Sequence, residues 1–371
     1  MKRLLKLLAL FISLTLLLTG CWDQRVFEQI GYILSVGIEP SENDNLLITS
    51  VYPVIGGAEK GTVDIISKEA IIVRGARTHS RTMAPKLIEG GKVQQVLISD
   101  SLAKDGIHDL LEIFQRDVTL PAVAFVVIVE GSPQELLKKA IEFKTKPRVS
   151  FYLYQLLENN VKLSNIPNTK VFDFDINFFA PGLDPIVPLI KLENGLIKIS
   201  GSALFSEDKM TGKLGHQETN LLLGMMDQFK YADFIFSGSD FSGKNGEKQG
   251  VAVTLFKSKR KVSINFDEEG KPIVEIKLNY IINLDEFEWD DTMEPKVQED
   301  LEKKFGSNLT NMSNDVIKKL QEANSDPIGI GDMIRAKYYD YWNSIDWKEM
   351  YQEADIKANV EVEIENVGII K

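Results

Sequence analysis

Cysteine and histidine are scarce in this sequence of 371 residues, which contains one cysteine and three histidines. The single cysteine, Cys21, has no partner for an internal disulfide. The histidines, His79, His108 and His216, lie at least 29 residues apart and share no metal-ligand spacing. We therefore predict no metal site and no cofactor, and we interpret the histidines as surface or helix-capping residues.

Long apolar runs and an excess of positive charge are also missing. No run of about 18 apolar residues occurs, so the sequence predicts no permanent membrane-spanning helix. The chain has 43 basic and 54 acidic side chains. Such a polyanion is a poor candidate for binding DNA or RNA, because that binding depends on neutralising phosphates. The same charge predicts repulsion from anionic lipid headgroups, so we expect the folded body to stand off a bilayer.

Residues 1–20 are typical of a secretory signal peptide. Three basic residues, Lys2, Arg3 and Lys6, precede an uncharged apolar stretch at 7–18, and small residues follow it. The stretch has 12 residues, too few to cross roughly 30 Å of hydrocarbon comfortably. Without residues 1–20 the chain has 40 basic and 54 acidic side chains, a net charge of −14. The alternative is a membrane anchor that remains attached.

The end of this segment, Leu18-Thr19-Gly20-Cys21, resembles a bacterial lipobox. Its chemistry requires a thiol to receive the diacylglyceryl group and small neighbours that enter a protease cleft. We predict cleavage before Cys21 and lipid attachment at its sulfur, with further acylation of the new amino terminus by chains of the palmitate type. One acyl chain holds a protein only marginally, whereas two or three give a stable anchor. A chance cysteine beside a signal peptide is the alternative.

No arrangement of residues in the sequence indicates catalysis. The G-x-S-x-G pattern of a nucleophile elbow is absent. Gly238, Gly243 and Lys244 have the spacing of a phosphate loop, but Asn245 replaces the hydroxyl residue and a strand is predicted to follow. We interpret 238–246 as a hairpin loop and predict no enzyme activity. A cluster of acidic residues lacks the ligand spacing of a calcium-binding loop, and we interpret it as a solvated loop: Glu286, Glu288, Asp290 and Asp291.

The pattern of apolar residues predicts mixed strands and helices. Strands are predicted at 30–38, 46–54, 93–102, 122–130, 231–237, 249–257, 260–266, 274–283 and 359–367, with a hairpin at 197–214 and a strand followed by an irregular crossing at 168–195. Helices are predicted at 68–88, 106–117, 151–163, 217–228, 295–323 and 331–343, and another begins at the capping residue Ser132.

This order predicts a multi-domain α+β fold in which mixed, mostly antiparallel sheets are flanked by helices. The expected domain boundary lies near 185–198. We assign 21–195 to an amino-terminal α+β region that can contain two subdomains, and 196–371 to a carboxy-terminal α+β domain.

Several segments together resemble the Ger(x)C family of spore germination lipoproteins, the C-subunits of germinant receptors. Cys21-Trp22-Asp23 is similar to the mature start of the family, and GSALFSEDKMTGKLGHQETNLLLG (201–224) to its mid-chain hairpin. The most specific similarity is DPIGIGDMIRAKYYDYW (326–342), and VEVEIENVGII (360–370) also fits. Tyr339 stands where the family commonly has proline, and 86–92 lacks a histidine that is often found there.

The resemblance implies one subunit of a nutrient receptor that assembles at the spore inner membrane. Two other subunits, of A and B type, are integral membrane proteins, and this lipid-anchored one lies on the outer face. The family has no assigned catalytic residues, and its fold is expected to comprise several α+β domains. Locally, Tyr338, Tyr341 and Trp342 suit either core packing or a partner-binding surface.

Three functions are weighed on this basis. A non-enzymatic receptor subunit that couples germinant sensing to germination fits the resemblance. A lipid-anchored extracytoplasmic solute-binding protein is the alternative, although such proteins usually have two similar lobes with parallel sheets. An exported hydrolase is disfavoured because no nucleophile and base are placed together.

Overall fold

The computed structural model describes residues 2–17, 29–42, 45–53, 63–142, 149–237, 250–286 and 294–367. The described part of the signal segment is a helix, α1 (Lys2–Leu17), whose described side chains are exposed. The lipobox at 18–21, including Cys21, lies outside these residues.

The remaining elements alternate between strands and helices along the chain. The strands are β1 (Ile30–Tyr32), β2 (Ser35–Pro40), β3 (Leu46–Pro53), β4 (Val63–Ala70), β5 (Leu87–Glu89), β6 (Gln95–Ser99), β7 (Phe125–Glu130), β8 (Ile186–Glu193), β9 (Leu196–Ser206), β10 (Lys209–Gly215), β11 (Ala232–Ser237), β12 (Gly250–Phe266), β13 (Pro272–Glu286) and β14 (Asp355–Val367). The helices are α2 (Val73–Arg81), α3 (Asp100–Asp105), α4 (His108–Arg116), α5 (Pro133–Ile141), α6 (Val149–Lys162), α7 (Val171–Phe179), α8 (His216–Met225), α9 (Pro295–Glu322), α10 (Ile330–Lys337), α11 (Tyr339–Trp342) and α12 (Trp347–Glu353).

An eight-stranded mixed sheet organises the first part of the chain, with the order β10-β9-β8-β7-β6-β2-β3-β4. Its centre is parallel, because β2, β6, β7 and β8 pair in the same direction. Antiparallel strands complete both edges. A separate parallel pair joins β1 to β5, so that Ile30 lies opposite Leu87.

Strand β7 shows why the centre of this sheet is buried on both faces. Phe125, Val127 and Val129 belong to a core that includes residues of α5 and α6. Val126 and Ile128 point the other way, into a core that includes residues of α3, α4 and α7. Parallel strands covered by helices on both sides are typically continuous apolar runs, as this one is.

Two sequence predictions for this region were wrong. The predicted helix at 68–88 is strand β4 up to Ala70, then the shorter helix α2, then β5. Pairing of β4 with β3 overrides the local helical pattern, and Pro85 disfavours helix continuation before β5. The predicted strand at the start of 168–195 is helix α7, which Asp173 caps by accepting a hydrogen bond from the Lys170 N–H at 3.0 Å.

The second sheet has the order β11-β12-β13-β14 and packs against the long helix α9. Instead of the two strands predicted at 249–257 and 260–266, one strand of 17 residues, β12, runs through a register shift between Leu255 and Lys257. The alternation predicted for β13 is confirmed, because one set of its side chains is buried: Val274, Ile276, Leu278, Tyr280 and Ile282.

The fold class predicted from the sequence is confirmed. Among the described strands, six of the eleven pairs are antiparallel and five are parallel. The predicted hairpin at 197–214 is present as β9 and β10, and β9 pairs with β8 across the expected domain boundary. A division between 195 and 196 stays a prediction.

Candidate functional site

The segment DPIGIG (326–331) encloses one buried carboxylate, that of Asp326, which is 1% exposed. Its Oδ1 accepts hydrogen bonds from the N–H groups of Gly329 at 2.9 Å and Ile330 at 3.1 Å. Its Oδ2 accepts from the Gly331 N–H at 2.8 Å and the Trp347 indole Nε1 at 3.2 Å. The carboxylate therefore satisfies free N–H groups at the start of α10, which helices leave without backbone partners.

Two glycines make this geometry possible. Gly329 has φ of 76°, in the left-handed region that glycine adopts at little cost. The backbone of Gly331 lies against the Trp347 indole, and a Cβ at this position would overlap the ring. The spacing of glycines in the segment thus follows from the turn and from this close approach.

A second aspartate, Asp184, joins the preceding part of the chain to Asp326. The Asp326 N–H donates to Asp184 Oδ2 at 2.7 Å, and the Asp184 N–H donates back to the Asp326 carbonyl at 3.0 Å. The Lys348 ammonium lies 2.6 Å from Asp184 Oδ1 and 2.8 Å from Oδ2, and it also donates to the Ser206 hydroxyl at 3.0 Å. We call Asp184, Ser206, Asp326, Trp347 and Lys348 the aspartate site.

The electrostatics of this site reflect its burial. Loss of solvent raises the pKa of Asp326 to about 7, while the N–H donors of Gly331 and Ile330 act to lower it and the charge of Asp184 acts to raise it. The carboxylate has no room for a ligand, because its oxygens already receive four N–H groups of this chain. The arrangement is therefore suited to holding segments together rather than to acid–base chemistry.

The sequence analysis included Asp326 in a family motif without assigning it a site role, and it missed Asp184, Trp347 and Lys348. One local signal was available, because both aspartates begin the same tripeptide, Asp-Pro-Ile, at 184–186 and 326–328. The lysine and tryptophan carry no such signal, and only the tertiary structure brings them together.

Three aromatic residues of the same motif pack against other rings, with Tyr341 and Trp342 half-buried, whereas Tyr339 is 64% exposed. Tyr338 and Tyr341 contact Phe266, with ring centroids 5.0 and 4.5 Å apart, and Trp342 lies 6.1 Å from Trp347. The Tyr341 hydroxyl donates to the Gly270 carbonyl at 2.7 Å. Of the two roles considered, these contacts favour core packing.

Among the predicted candidates, His108 has the most structured surroundings. Its ring stacks on Phe178 at 4.2 Å between centroids and lies 3.9 Å from the Asp175 carboxylate. Within the described chain, neither Asp175 oxygen accepts a hydrogen bond, and burial raises the pKa of this carboxyl against the opposing effect of His108. The pair joins α4 to α7.

The other candidate residues are not brought together. His79 and His216 are exposed, and no group of three metal-ligating side chains occurs in the described segments. The loop at 238–246 lies outside the described residues, as do Glu288, Asp290 and Asp291, whereas Glu286 is exposed. Of the helices that the structure describes, none has both the length and the apolar character required to cross a membrane.

The cavities give little support to an enclosed solute site. An apolar cavity between α2, α4 and the sheet has a volume of about 30 Å³, lined by residues such as Val73, Ile113 and Phe114. This volume is far below the roughly 300–1,000 Å³ of a typical small-molecule site. A wider depression of about 500 Å³, lined by residues such as Leu156, Leu196 and His216, is open to solvent.

Two family models match the chain. The model described as "Spore germination protein N-terminal domain" matches residues 23–192. The model described as "Spore germination B3/ GerAC like, C-terminal" matches residues 200–368. They occur in the order that their descriptions state and leave a short interval between 192 and 200.

Individual relatives match along nearly their whole length. Spore germination protein GerQC of Bacillus cereus is 22% identical over 364 residues, which cover 97% of this chain and 98% of that protein. Spore germination protein B3 of Bacillus subtilis (strain 168) is 24% identical over 385 residues, covering all of both chains.

A solved structure shares the fold. The crystal structure of the GerBC protein matches with a TM-score of 0.56 at 19% identity, covering 89% of this chain and 97% of that chain. Because the two family models together span most of the sequence, the chain belongs to the Ger(x)C family of spore germination proteins, the germinant receptor C-subunit family.

Proposed function

We propose that this protein is a non-enzymatic, lipid-anchored subunit of a spore nutrient germinant receptor and that it assembles with integral membrane subunits of A and B type. The observation that carries the proposal is the pair of family models, the first of which begins at residue 23, two residues after Cys21. The position is the one expected for a mature lipoprotein in which the family's sequence follows the anchor directly.

The chemistry of the described residues supports a role without catalysis. In the aspartate site, the hydrogen-bond donors and acceptors bind other groups of the same chain. The His108 ring packs against Phe178 and Phe179 and lies 3.9 Å from Asp175, without a nucleophile among the contacts described for the pair. A protein of this kind transmits or organises binding events through its surfaces.

The attachment that we propose is a thioether at Cys21 with two or three acyl chains, after removal of residues 1–20. Each buried methylene contributes about 0.8 kcal/mol to membrane binding. Several acyl chains therefore hold the protein on the membrane, whereas one chain alone would bind reversibly. We propose that the anchored protein lies on the outer face of the spore inner membrane.

Co-purification from dormant spores tests the assembly. The full chain, tagged at its carboxy terminus, is extracted from inner membranes in mild detergent and captured, and its companions are identified by mass spectrometry. We expect two integral membrane proteins at a constant ratio to the tagged chain. Recovery of the chain alone, under conditions in which an unrelated tagged lipoprotein also emerges alone, would contradict assembly.

A binding experiment separates this function from that of a solute-binding protein. The purified chain is titrated calorimetrically with candidate nutrients, including those that trigger germination of the same spores. We expect no tight binding by the chain alone. Saturable, tight binding of one nutrient would instead indicate a lipid-anchored solute-binding protein.

A further inference from the structure

The exposed surface around helix α2 combines apolar side chains with positive charge. Four large apolar side chains are exposed around this helix and β5: Ile71 (82%), Ile72 (62%), Met83 (63%) and Leu87. Ile72 and Met83 flank α2, the first directly before Val73 and the second two residues after Arg81. Apolar residues grouped in this way are more informative than single exposed ones, because they mark contact surfaces.

The neighbouring loops extend the same surface. The Arg81 guanidinium donates to the Ile88 carbonyl at 3.2 Å, which fixes β5 beside the end of α2. The 117–120 loop also lies close, because Arg77 donates to Asp117 at 2.6 Å. This loop presents Val118, which is 96% exposed.

The charge of this region is opposite to that of the chain. Segment 71–92 has five basic side chains and one acidic, whereas the chain as a whole has a net charge of −11. Two nearby acidic groups are buried and compensated, because Glu89 pairs with Arg81 and Asp117 pairs with Arg77. Glu69, just before the segment, is exposed and accepts a hydrogen bond from the Ser41 hydroxyl.

Within segment 71–92 the exposed charge is basic. Arg74 and Lys92 are both exposed, and no carboxylate of the described residues forms an ion pair with either. Arg74, Gly90 and Val93 line the same small cavity, so the 90–93 segment lies beside α2. We call Ile71, Ile72, Arg74, Met83, Leu87, Lys92 and Val118 the α2 surface.

The position of the α2 surface relative to the proposed anchor is restricted by chain length. Ile30 is nine positions after Cys21, so nine Cα–Cα steps join the two residues. Fully extended, they span roughly 30 Å at about 3.3–3.6 Å per residue. Because Ile30 is paired with Leu87 in the parallel β1–β5 ladder, an anchor at Cys21 keeps the α2 surface near the bilayer.

We infer that the α2 surface docks on the anionic lipid bilayer to which the protein is tethered and so orients the folded body on the membrane. The inference rests on the proposed lipid anchor. Basic side chains beside exposed aliphatic groups are the composition that binds anionic membrane interfaces. The uneven charge distribution thus qualifies the repulsion expected from net charge alone.

A lipid partner fits these residues better than a protein partner does. The exposed apolar members of the surface are aliphatic, whereas the residues that dominate protein interfaces are mainly Trp, Tyr and Arg. The contact need not be strong, because the tether makes docking an intramolecular event with a high effective concentration.

Depth-dependent fluorescence quenching tests the inference on the full chain. The lipidated Ile72→Cys variant is labelled with an environment-sensitive fluorophore and placed on phosphatidylcholine vesicles with and without phosphatidylglycerol. The lipids carry a quencher in their acyl chains. A lipidated Cys21 sulfur is a thioether and takes no label, which the unsubstituted chain, treated in parallel, verifies.

The matched control is Ile235→Cys. Ile235 is the same residue type and is 72% exposed, but it lies on the edge strand β11, close to Asp233. We expect strong quenching and a blue shift at position 72 on anionic vesicles and little change at position 235. Met83→Cys is a second probe of the α2 surface and should behave as position 72 does.

Charge reversal shows whether the contact is electrostatic. Arg74→Glu combined with Lys92→Glu should remove most of the quenching at position 72. Lys257→Glu combined with Lys261→Glu, the same charge change on exposed residues of β12, should leave it unaltered. Salt at 1 M, where the Debye length is about 3 Å, should also remove most of the quenching at position 72.

Flotation with the vesicles separates failure of the anchor from failure of the docking surface. A chain that does not float with vesicles of either composition overturns both the anchor and the inference. A chain that floats while positions 72 and 83 remain as unquenched as position 235 overturns the inference alone and leaves the proposed function standing.

Discussion

Lys348 and Asp184 form an ion pair between residues 164 positions apart in the sequence, with Nζ 2.6 Å from Oδ1 and 2.8 Å from Oδ2. The same ammonium contacts the Ser206 hydroxyl. One side chain of α12 thereby holds the segment before β8 and the end of β9. These contacts connect the part of the chain matched by the first family model with the part matched by the second.

Removing the ammonium should destabilise the protein substantially. Lys348→Met leaves the Asp184 carboxylate, which is 6% exposed, without its cation. Breaking one partner of such a pair costs about 3–5 kcal/mol when both groups are buried, and the partial exposure of Lys348 favours the lower end. Urea unfolding of the full chain measures the change.

The control for this prediction is Lys357→Met. Lys357 pairs with Asp355 at 2.8 Å, but both side chains are more than half exposed. Exposed pairs contribute about 0–1 kcal/mol, so this variant should unfold near the parent midpoint. Equal losses in the two variants would contradict the special role of Lys348.

A methyl group at Gly331 should disturb the packing of Trp347. The Cβ of Gly331→Ala would overlap the indole, so the ring must shift and weaken its hydrogen bond to Asp326. Overpacking of this kind costs about 1–3 kcal/mol. Near-ultraviolet circular dichroism should report the changed tryptophan environment, together with a lower midpoint of unfolding.

Gly250→Ala provides the comparison. A Cβ at Gly250 would meet its nearest neighbour, the Phe236 carbonyl oxygen, at 3.5 Å, an ordinary contact distance. We expect its stability and spectrum to match those of the parent. A Gly331→Ala protein that is equally unchanged would show that the indole does not lie against this backbone.

Local periodicity explains which parts of this fold the sequence predicts well. The strand at β13 and the helix at α9 have long apolar patterns with clear periods of two and about 3.6 residues, and both occur where predicted. The start of α5 is also local, because the Ser132 hydroxyl accepts from the Glu135 N–H as its capping sequence indicates. Such signals need no knowledge of the remaining chain.

The features that were missed depend on distant pairing. The parallel centre of the large sheet results from pairing between strands that are far apart in sequence. The apolar run of a strand does not indicate which other strand it pairs with. Helix α7 was missed because its aromatic residues favour strands locally, while packing of Val171 and Phe174 into the core selects the helix. Asp184 and Lys348 become neighbours only when the chain is folded.

Replacing Asp175 by asparagine should stabilise the protein at neutral pH. Burial raises the pKa of Asp175, so the folded chain binds this proton more tightly than the unfolded chain does. This tighter proton binding stabilises the folded chain fully below the unfolded pKa of about 4. The stabilisation is lost as the pH rises through the higher pKa of the folded chain. Asparagine does not ionise, so Asp175→Asn avoids the cost of keeping a charged carboxylate buried at neutral pH.

The pH dependence distinguishes this mechanism from a change in packing. The advantage of Asp175→Asn in urea unfolding should be present at pH 7.5 and should shrink as the pH approaches 4. Asp109→Asn, a fully exposed neighbour of the same His108, should change stability by less than about 0.5 kcal/mol at either pH. An advantage of equal size at both pH values would exclude ionisation as its cause.

Loss of the sulfur at position 21 should release the protein from the membrane. Cys21→Ala has no thiol to receive the diacylglyceryl group, and the 12 apolar residues at 7–18 are too few for a stable span. We expect most of the variant to leave the detergent phase in a partition assay and the nutrient germination response of spores to fall. Thr19→Ser keeps a small residue before the cleavage position and should remain in the detergent phase. Mass spectrometry decides the assignment, because a parent chain that lacks acyl groups or retains residues 1–20 would contradict lipid attachment at Cys21.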